Sequence, residues 1–292
     1  MPNIEKLIQE KVDLLESTPE NLATASEKVQ RKLWRELLPY VQELEVDANG
    51  NVAQTETNIR KIGEIQNKLS ELLAGKEYTD AIKVFLADID KGVQLTNDIA
   101  RDIKKSFEPT QVMKDILRIS KQNAINSLIG ETMRSRVTLP FVEQLTAAVA
   151  ARVPLRETVK TLQTVIEGTP DVDGRLLANV KTVALTAQAI ADNAYSAAVN
   201  DAIGAEWYVY RGGKIKTTRD FCLERNGKYF HKKEIEKWGK EDWEGRIAGT
   251  DSSSIFVFRG GWNCRHTLVA VSISRVPKEV IDRNIASGNY KP

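Results

Sequence analysis

The stretch Trp207-Tyr208-Val209-Tyr210, followed by Gly212-Gly213, marks the point at which the character of the chain changes. Aromatic and β-branched residues favour strands and a glycine pair favours a turn, so this run predicts a strand and a reversal. Lys214-Ile215-Lys216 then predicts a return strand, which would complete a hairpin. We therefore expect a second, strand-containing domain to begin at about residue 206.

The region before this change has the pattern of successive helices. Apolar residues recur at spacings of three and four between Ile4 and Ala202, and the interruptions fall at Pro, Gly and Asn. Stripes at 59–73 and 82–103 each predict one buried helical face. An alanine-rich segment at about 179–205 predicts a helix that packs closely against its neighbours.

Two short segments predict helix starts, because each combines a capping side chain, a proline and an acid. They are Ser17-Thr18-Pro19-Glu20 and Thr169-Pro170-Asp171. In the C-terminal part, a helix is expected from about Lys233 to Trp238 and another after Pro277. Strands are expected at Ile255–Phe258 and at Thr267–Ser272.

These patterns predict an α+β protein in which a predominantly α-helical N-terminal region precedes a small α+β C-terminal module. The expected domains are 1–205, helical and partner-binding, and 206–292, the small module. With 292 residues, of which 41% are hydrophobic, the chain has enough apolar material for a real core. The helices offer more apolar surface than a single bundle buries, which favours a homo-oligomer.

Composition narrows the classes of partner and compartment. The chain has 42 Lys+Arg against 40 Asp+Glu and a formal charge of +2, so no overall charge excess indicates nucleic acid. No apolar run approaches the roughly 20 residues that a membrane-spanning helix needs, and Met1–Lys6 lacks the pattern of a signal peptide. The expectation is a protein made in a cytoplasm, without membrane association.

Every Cys and His in the chain lies within one stretch of the C-terminal module. Four such side chains would suit tetrahedral zinc. The spacing differs from that of compact zinc motifs, because only one residue separates Cys264 from His266 and nine positions separate Cys222 from His231. The alternative is a small domain with buried thiols and locally hydrogen-bonded histidines. The candidate ligands of one structural zinc are Cys222, His231, Cys264 and His266.

The C-terminal module also carries a local run of cations, beginning at Arg211, that is interleaved with aromatic residues. Such a surface can contact DNA through phosphates and stacking, whereas the simpler interpretation is solvated charge beside a hairpin. The acids Glu224, Glu234 and Glu236 dilute the patch. The candidate DNA contacts are Arg211, Lys214, Lys216, Arg219, Arg225 and Lys228.

Enzymatic motifs are incomplete. Tyr210-Arg211-Gly212 and Ser252-Ser253-Ser254 echo mono-ADP-ribosyltransferases, but no Glu-x-Glu follows the serines. A nuclease would need paired carboxylates with a metal or a His-Asn-His arrangement, and Glu241-Asp242-Trp243-Glu244 is more typical of a solvated face. No glycine-rich phosphate loop is present. The sequence therefore predicts that the protein is not an enzyme.

Two motifs in the last 90 or so residues resemble a known family. The first is Thr218-Arg219-x-x-Cys222-x-x-Arg225-x-Gly227-Lys228, and the second, some tens of residues later, is Asn263-Cys264-Arg265-His266 followed by a hydrophobic strand. Their order and spacing are similar to the C-terminal signature of Mu F-like minor head proteins of tailed bacteriophages. His266 stands where many relatives carry a second cysteine, and Gly261-Trp262 where many have His-Pro.

The resemblance implies a virion structural protein, present in few copies, inside the capsid at the portal vertex and made in a bacterial host. It implies partners among the portal protein and neighbouring head components, and a role in head morphogenesis or DNA delivery. The alternative is a DNA-binding or enzymatic cargo protein, ADP-ribosyltransferase-like or a nuclease, ejected with the genome. Salt-sensitive DNA binding would favour the alternative.

Overall fold

A computed structural model describes residues 3–292 and is 67% helical, with two small antiparallel sheets. The predicted α+β class, with a mostly helical N-terminal region and a small α+β C-terminal part, is confirmed. The helices before the larger sheet are α1 (Ile4–Gln42), α2 (Glu56–Leu73), α3 (Lys76–Ile103), α4 (Gln111–Ile129), α5 (Glu131–Met133), α6 (Leu139–Ala150), α7 (Leu155–Glu167) and α8 (Arg175–Ile203).

The remaining elements are short. A π-helical turn, Arg134–Thr138, joins α5 to α6, and strands β1 (Gly168–Thr169) and β2 (Val172–Asp173) form a hairpin between α7 and α8. After α8 come β3 (Trp207–Arg211), α9 (Asp220–Arg225), β4 (Tyr229–His231), α10 (Lys232–Trp238), α11 (Ile255–Phe258), β5 (Thr267–Ala270), a 3₁₀ turn (Ile273–Arg275) and α12 (Lys278–Ala286).

The chain forms two compact units that do not follow the expected boundary near residue 205. The first unit comprises 3–18, 87–121 and 185–292, and the second comprises 19–86 and 122–184. The difference has a physical cause within the first unit. Ile4, Ile8 and Ile99 share one buried cluster with Val209 and Val269, so segments from the helical region complete the core beside the larger sheet.

Strand β3 is the centre of a three-stranded antiparallel sheet, with β4 on one side and β5 on the other. Side chains alternate between the faces of a strand. Trp207 and Val209 accordingly pack into the cluster that contains Ile4 and Ile8. Tyr208 and Tyr210 pack on the other face, with side chains from α9, α10 and α11.

Several predicted elements of the C-terminal part are confirmed, and two are wrong. The strands at Trp207 and Thr267 and the helices at Lys233 and after Pro277 are present. Residues 214–216 form no strand, because the partners of β3 are β4 and β5, both distant in sequence. Residues 255–258 form the helical turn α11, in which Ile255 alone is fully buried, so its apolar run reflects packing rather than strand pairing.

Both predicted helix starts are also wrong. Helix α1 continues through Pro19, because the apolar residues before and after it lie on buried faces and tertiary packing outweighs the lost backbone hydrogen bond. The Thr169-Pro170-Asp171 segment makes the β1–β2 hairpin, where the Thr169 hydroxyl accepts from the backbone N–H of Val172. Helix α8 begins only at Arg175.

A buried ionic network links α1, α8 and the start of β5 inside the first unit. The ammonium of Lys11 lies 2.7 Å from the Asp192 carboxylate and donates to the hydroxyls of Thr96 and Ser196. The other carboxylate oxygen of Asp192 accepts from Thr267 and lies 3.5 Å from the Arg259 guanidinium. The lysine can make three hydrogen bonds, and all three are made.

Burial and neighbouring charge have opposite effects on these groups. Desolvation lowers the pKa of Lys11, although Asp192 acts in the other direction. Burial would raise the pKa of Asp192, but the cations Lys11 and Arg259 more than compensate and hold it below its usual value. The carboxylate is thus the shared counter-charge of two buried cations.

Asp192→Asn should destabilise the protein more than Lys11→Met does. The asparagine leaves two buried cations without a counter-charge, which costs about 3–5 kcal/mol, whereas Lys11→Met leaves Asp192 paired with Arg259. Denaturant unfolding measures both. The exposed Lys83–Asp80 pair is the control, and Lys83→Met should cause no measurable change. A change below about 1 kcal/mol in Asp192→Asn would contradict this role of the network.

Candidate metal centre

Three of the four predicted ligands meet on the Tyr210 face of the larger sheet. Cys222 comes from α9, Cys264 from the loop before β5, and His266 from the residue that precedes β5. The two Sγ atoms are 3.8 Å apart, and Cys264 Sγ is 4.0 Å from His266 Nδ1. Among residues 3–292, no other His, Cys, Asp or Glu joins this group, whose ligand atoms all lie within 4.8 Å of one another. The group can hold a metal ion.

The spacing fits a tetrahedral ion. Two thiolates each about 2.3 Å from such an ion would be about 3.8 Å apart, which is the separation between Cys222 Sγ and Cys264 Sγ. A disulfide would need about 2.05 Å, and both cysteines are free. The side chain of His266 is 5% exposed, yet its Nε2 has no hydrogen-bond partner. Two sulfurs and an imidazole suit a borderline-soft ion.

The loop against the two sulfurs is fixed by one arginine and one glycine. The Arg219 guanidinium, just before α9, donates to the carbonyls of Gly260 (3.3 Å) and Trp262 (2.7 Å). A Cβ on Gly260 would lie 2.5 Å from Cys222 Sγ and 2.7 Å from Cys264 Sγ. Only glycine allows the backbone to approach the sulfur pair this closely.

Tyr210 is a fourth contributor that the sequence did not identify. Its hydroxyl lies 3.3 Å from Cys222 Sγ and 3.6 Å from Cys264 Sγ. Its ring stacks on that of His266, with centroids 5.2 Å apart and planes 8° apart. Burial raises the pKa of Tyr210 well above its usual value, so the phenol keeps its proton and can donate to sulfur. The sequence signal that could have identified Tyr210 is its position in the predicted strand, because alternate side chains of a strand share one face.

A hydrogen bond between the two thiols shifts their pKa values in opposite directions. The hydrogen bond from Cys222 lowers the pKa of Cys264 well below the usual range, against the effect of burial, and the His266 side chain and backbone N–H add to this. The same hydrogen bond and burial raise the pKa of Cys222. Cys264 is therefore the first thiolate of the pair, and thiolate is the form that binds metal.

His231 does not belong to this group, which corrects the predicted four-ligand set. It pairs with Trp207 across the β3–β4 ladder and so lies on the opposite face of the sheet from Tyr210. Its ring packs edge-on against Trp207, at 4.8 Å between centroids, and its Nδ1 accepts from the backbone N–H of Lys233 to cap α10. Burial lowers the pKa of His231 and favours the neutral ring that this cap requires.

The six predicted DNA contacts divide into two groups. Arg219 binds backbone carbonyls, Arg211 lies 3.6 Å from Glu5, and Arg225 pairs with Glu241 at 2.6 Å while its guanidinium lies 3.9 Å from the centre of the Phe221 ring. These three arginines are held by contacts with other residues of the first unit. The other three are exposed on loops and are Lys214, Lys216 and Lys228.

A cleft of about 940 Å³ adjoins the three-ligand group, and Cys222, Cys264 and His266 are among its lining residues. The Glu241–Glu244 segment lines it as well. The carboxylates of Glu241, Asp242 and Glu244 are exposed, as predicted for a solvated face, but Trp243 is held by stacking on Phe221 and by donation to the Gly260 carbonyl. The acids thus lie at the cleft, which the sequence did not indicate.

The residues that resemble the motifs of ADP-ribosyltransferases have side-chain partners within the first unit. Arg211 lies near Glu5, and the hydroxyls of Ser253 and Ser254 donate to the carboxylate of Asp251.

No protein-family model, curated protein or solved structure matches the chain. Among residues 3–292, no helix combines the length and hydropathy that crossing a membrane requires.

Gly260→Ala should destabilise the module and weaken any metal binding, because the added methyl would overlap both sulfurs. We expect a loss of about 1–3 kcal/mol in unfolding free energy, the usual cost of overpacking. The control is Gly63→Ala in α2, where a Cβ meets nothing within 4 Å and alanine should be neutral or stabilising. Equal stability of the two variants would show that Gly260 does not press on the sulfur pair.

Proposed function

We propose that this protein is a non-enzymatic minor head protein of a tailed bacteriophage, located in the capsid interior at the portal vertex. It binds the portal protein and neighbouring head components and acts in head morphogenesis or DNA delivery. One observation carries the proposal: the two segments that resemble the Mu F-like signature form one centre. Cys222 and Cys264, 42 positions apart, lie 3.8 Å from each other, and Arg219 of the first segment holds the second.

Other residues of the resemblance also have structural roles. Arg225 lies over Phe221 and pairs with Glu241, and Gly227 adopts a φ of +81°, which favours glycine. A signature built of residues that position one another fits a binding module that is held rigid. An apolar groove of about 680 Å³ in the second unit, lined by the 59% exposed Ile59, supports the proposed partner binding.

We further propose that the ion held by Cys222, Cys264 and His266 is zinc, at one per chain. Zinc accepts thiolate and imidazole together and prefers a tetrahedral arrangement. It would join α9 to the loop before β5 in a module whose sheet has only three strands. Such small modules gain much of their stability from a bound metal.

Purified protein should contain about one zinc per chain, and Cys222→Ser, Cys264→Ser and His266→Asn should each lose it. Elemental analysis measures the metal, and thermal unfolding with and without a chelator measures its contribution to stability. The matched control is His231→Asn, which removes the other histidine, keeps a residue able to cap α10, and should retain zinc. Loss of zinc in His231→Asn, with the protein still folded, would refute the three-ligand assignment.

The role in the virion is tested with the portal protein of the encoding phage. Copurified chain and portal protein should form a complex that resists rising salt in size-exclusion chromatography. An association driven by DNA phosphates would weaken steeply instead. Absence of a complex would contradict the proposal.

The alternative of a DNA-binding cargo protein has one observation in its favour, the exposed Lys214, Lys216 and Lys228. If these residues bind DNA, changing all three to Gln should reduce the slope of log affinity against log salt in an electrophoretic shift assay, by roughly one for each phosphate that the variant no longer binds. The control changes three exposed lysines elsewhere, Lys28, Lys114 and Lys160, and gives the same net charge.

A further inference from the structure

We propose that Cys222, Cys264 and His266 leave one coordination position of their metal open to the adjoining cleft, where it accepts an exogenous neutral donor of the imidazole class. This inference rests on the proposed metal site. It assigns to the cleft a ligand-binding role that a closed structural site would not have.

The number of ligands is the first observation. Structural zinc sites are closed by four protein ligands, whereas sites with three protein ligands keep a position for water or another small donor. Within residues 3–292, only three ligating side chains converge, and no carboxylate or further histidine lies close enough to be the fourth. Asp220 and Glu224 are near in sequence but remain outside the group.

Access is the second observation. All three ligating residues line the cleft of about 940 Å³, whereas a water molecule occupies about 30 Å³ of liquid. Cys222 and His266 are buried, and Cys264 is partly exposed. Because all three residues line the cleft, solvent in the cleft borders the group and a small molecule has room to enter.

Tyr210 is a further side chain that lies close enough to compete for this position. Its hydroxyl is close to both sulfurs, but the residue is buried and is not among those lining the cleft. With its ring flat against His266, it is placed to donate to the thiolates from the core side. Tyr210 is thus a positioning residue, and the position toward the cleft stays open.

The charge of the lining selects the class of ligand. Five carboxylates and three guanidinium groups line the cleft, and the Arg225–Glu241 pair within this lining cancels, which leaves four carboxylates against two arginines. An anionic ligand would be repelled by this surface, and a neutral nitrogen donor would not. The carboxylates are Asp220, Glu224, Glu241, Asp242 and Glu244.

The test uses the full chain loaded with Co²⁺, whose d–d absorption reports coordination and whose sulfur charge-transfer bands report the thiolates. Imidazole should change the d–d bands saturably while the sulfur bands persist, and azide should bind more weakly. Tyr210→Phe should still respond to imidazole, with its sulfur charge-transfer bands shifted because the thiolates lose the phenol hydrogen bond. Asp242→Asn with Glu244→Gln should raise azide affinity by about threefold or more, and the control pair Glu143→Gln with Glu157→Gln, remote in sequence, should not.

Azide that binds as tightly as imidazole would overturn the preference for a neutral donor. Cobalt that binds with sulfur bands but ignores imidazole would overturn the open position and leave the metal site intact. A response seen only in Tyr210→Phe would show that the phenol fills the position, which also overturns the inference. Failure to bind cobalt or zinc would overturn the metal assignment and this inference with it.

Discussion

The pairing of β3 with β4 and β5 is the constraint on which the C-terminal architecture depends. Both faces of β3 are covered, so alternate side chains of one short strand enter two different environments. Trp207 and Val209 join an apolar cluster with residues of α1, α3 and α12. Tyr208 and Tyr210 face the side where α9 and the loop before β5 bring two thiols together.

This separation explains why one histidine belongs to the metal centre and the other does not. His266 continues the face of Leu268 and stacks on Tyr210, whereas His231 stands opposite Trp207 and caps a helix. The ionic network reinforces the position of His266. The guanidinium of Arg259 lies 3.5 Å from the His266 carbonyl and donates to the Thr267 hydroxyl, and Asp192 on α8 binds Thr267 as well.

Periodicity alone predicted much of the fold, because a helix with one buried face leaves a regular trace in the sequence. The stripe at 82–103 and the alanine-rich segment correspond to α3 and α8. The errors arise where distant contacts decide the outcome. Pro19 lies inside α1 because packing on both sides sustains the helix, and residues 214–216 are not a strand because β4 and β5 already flank β3.

The sequence predicted the residue types of the candidate site, but it did not predict which of those residues belong to it. The grouping of all Cys and His residues in one stretch indicated a metal centre, and Cys222, Cys264 and His266 do converge. Which histidine joins the cysteines depends on the β3–β4 register, and a register is set by long-range pairing that the sequence pattern leaves open. The contributions of Tyr210 and Gly260 depend on the same pairing and on close approach of the loop.

Anomalous diffraction at the zinc absorption edge, from crystals of the protein purified without chelator, tests the central claim most directly. The account predicts one strong peak bonded to Cys222 Sγ, Cys264 Sγ and a ring nitrogen of His266, and no peak at His231. A peak coordinated by His231, or no zinc between two sulfurs in an otherwise intact fold, would contradict it.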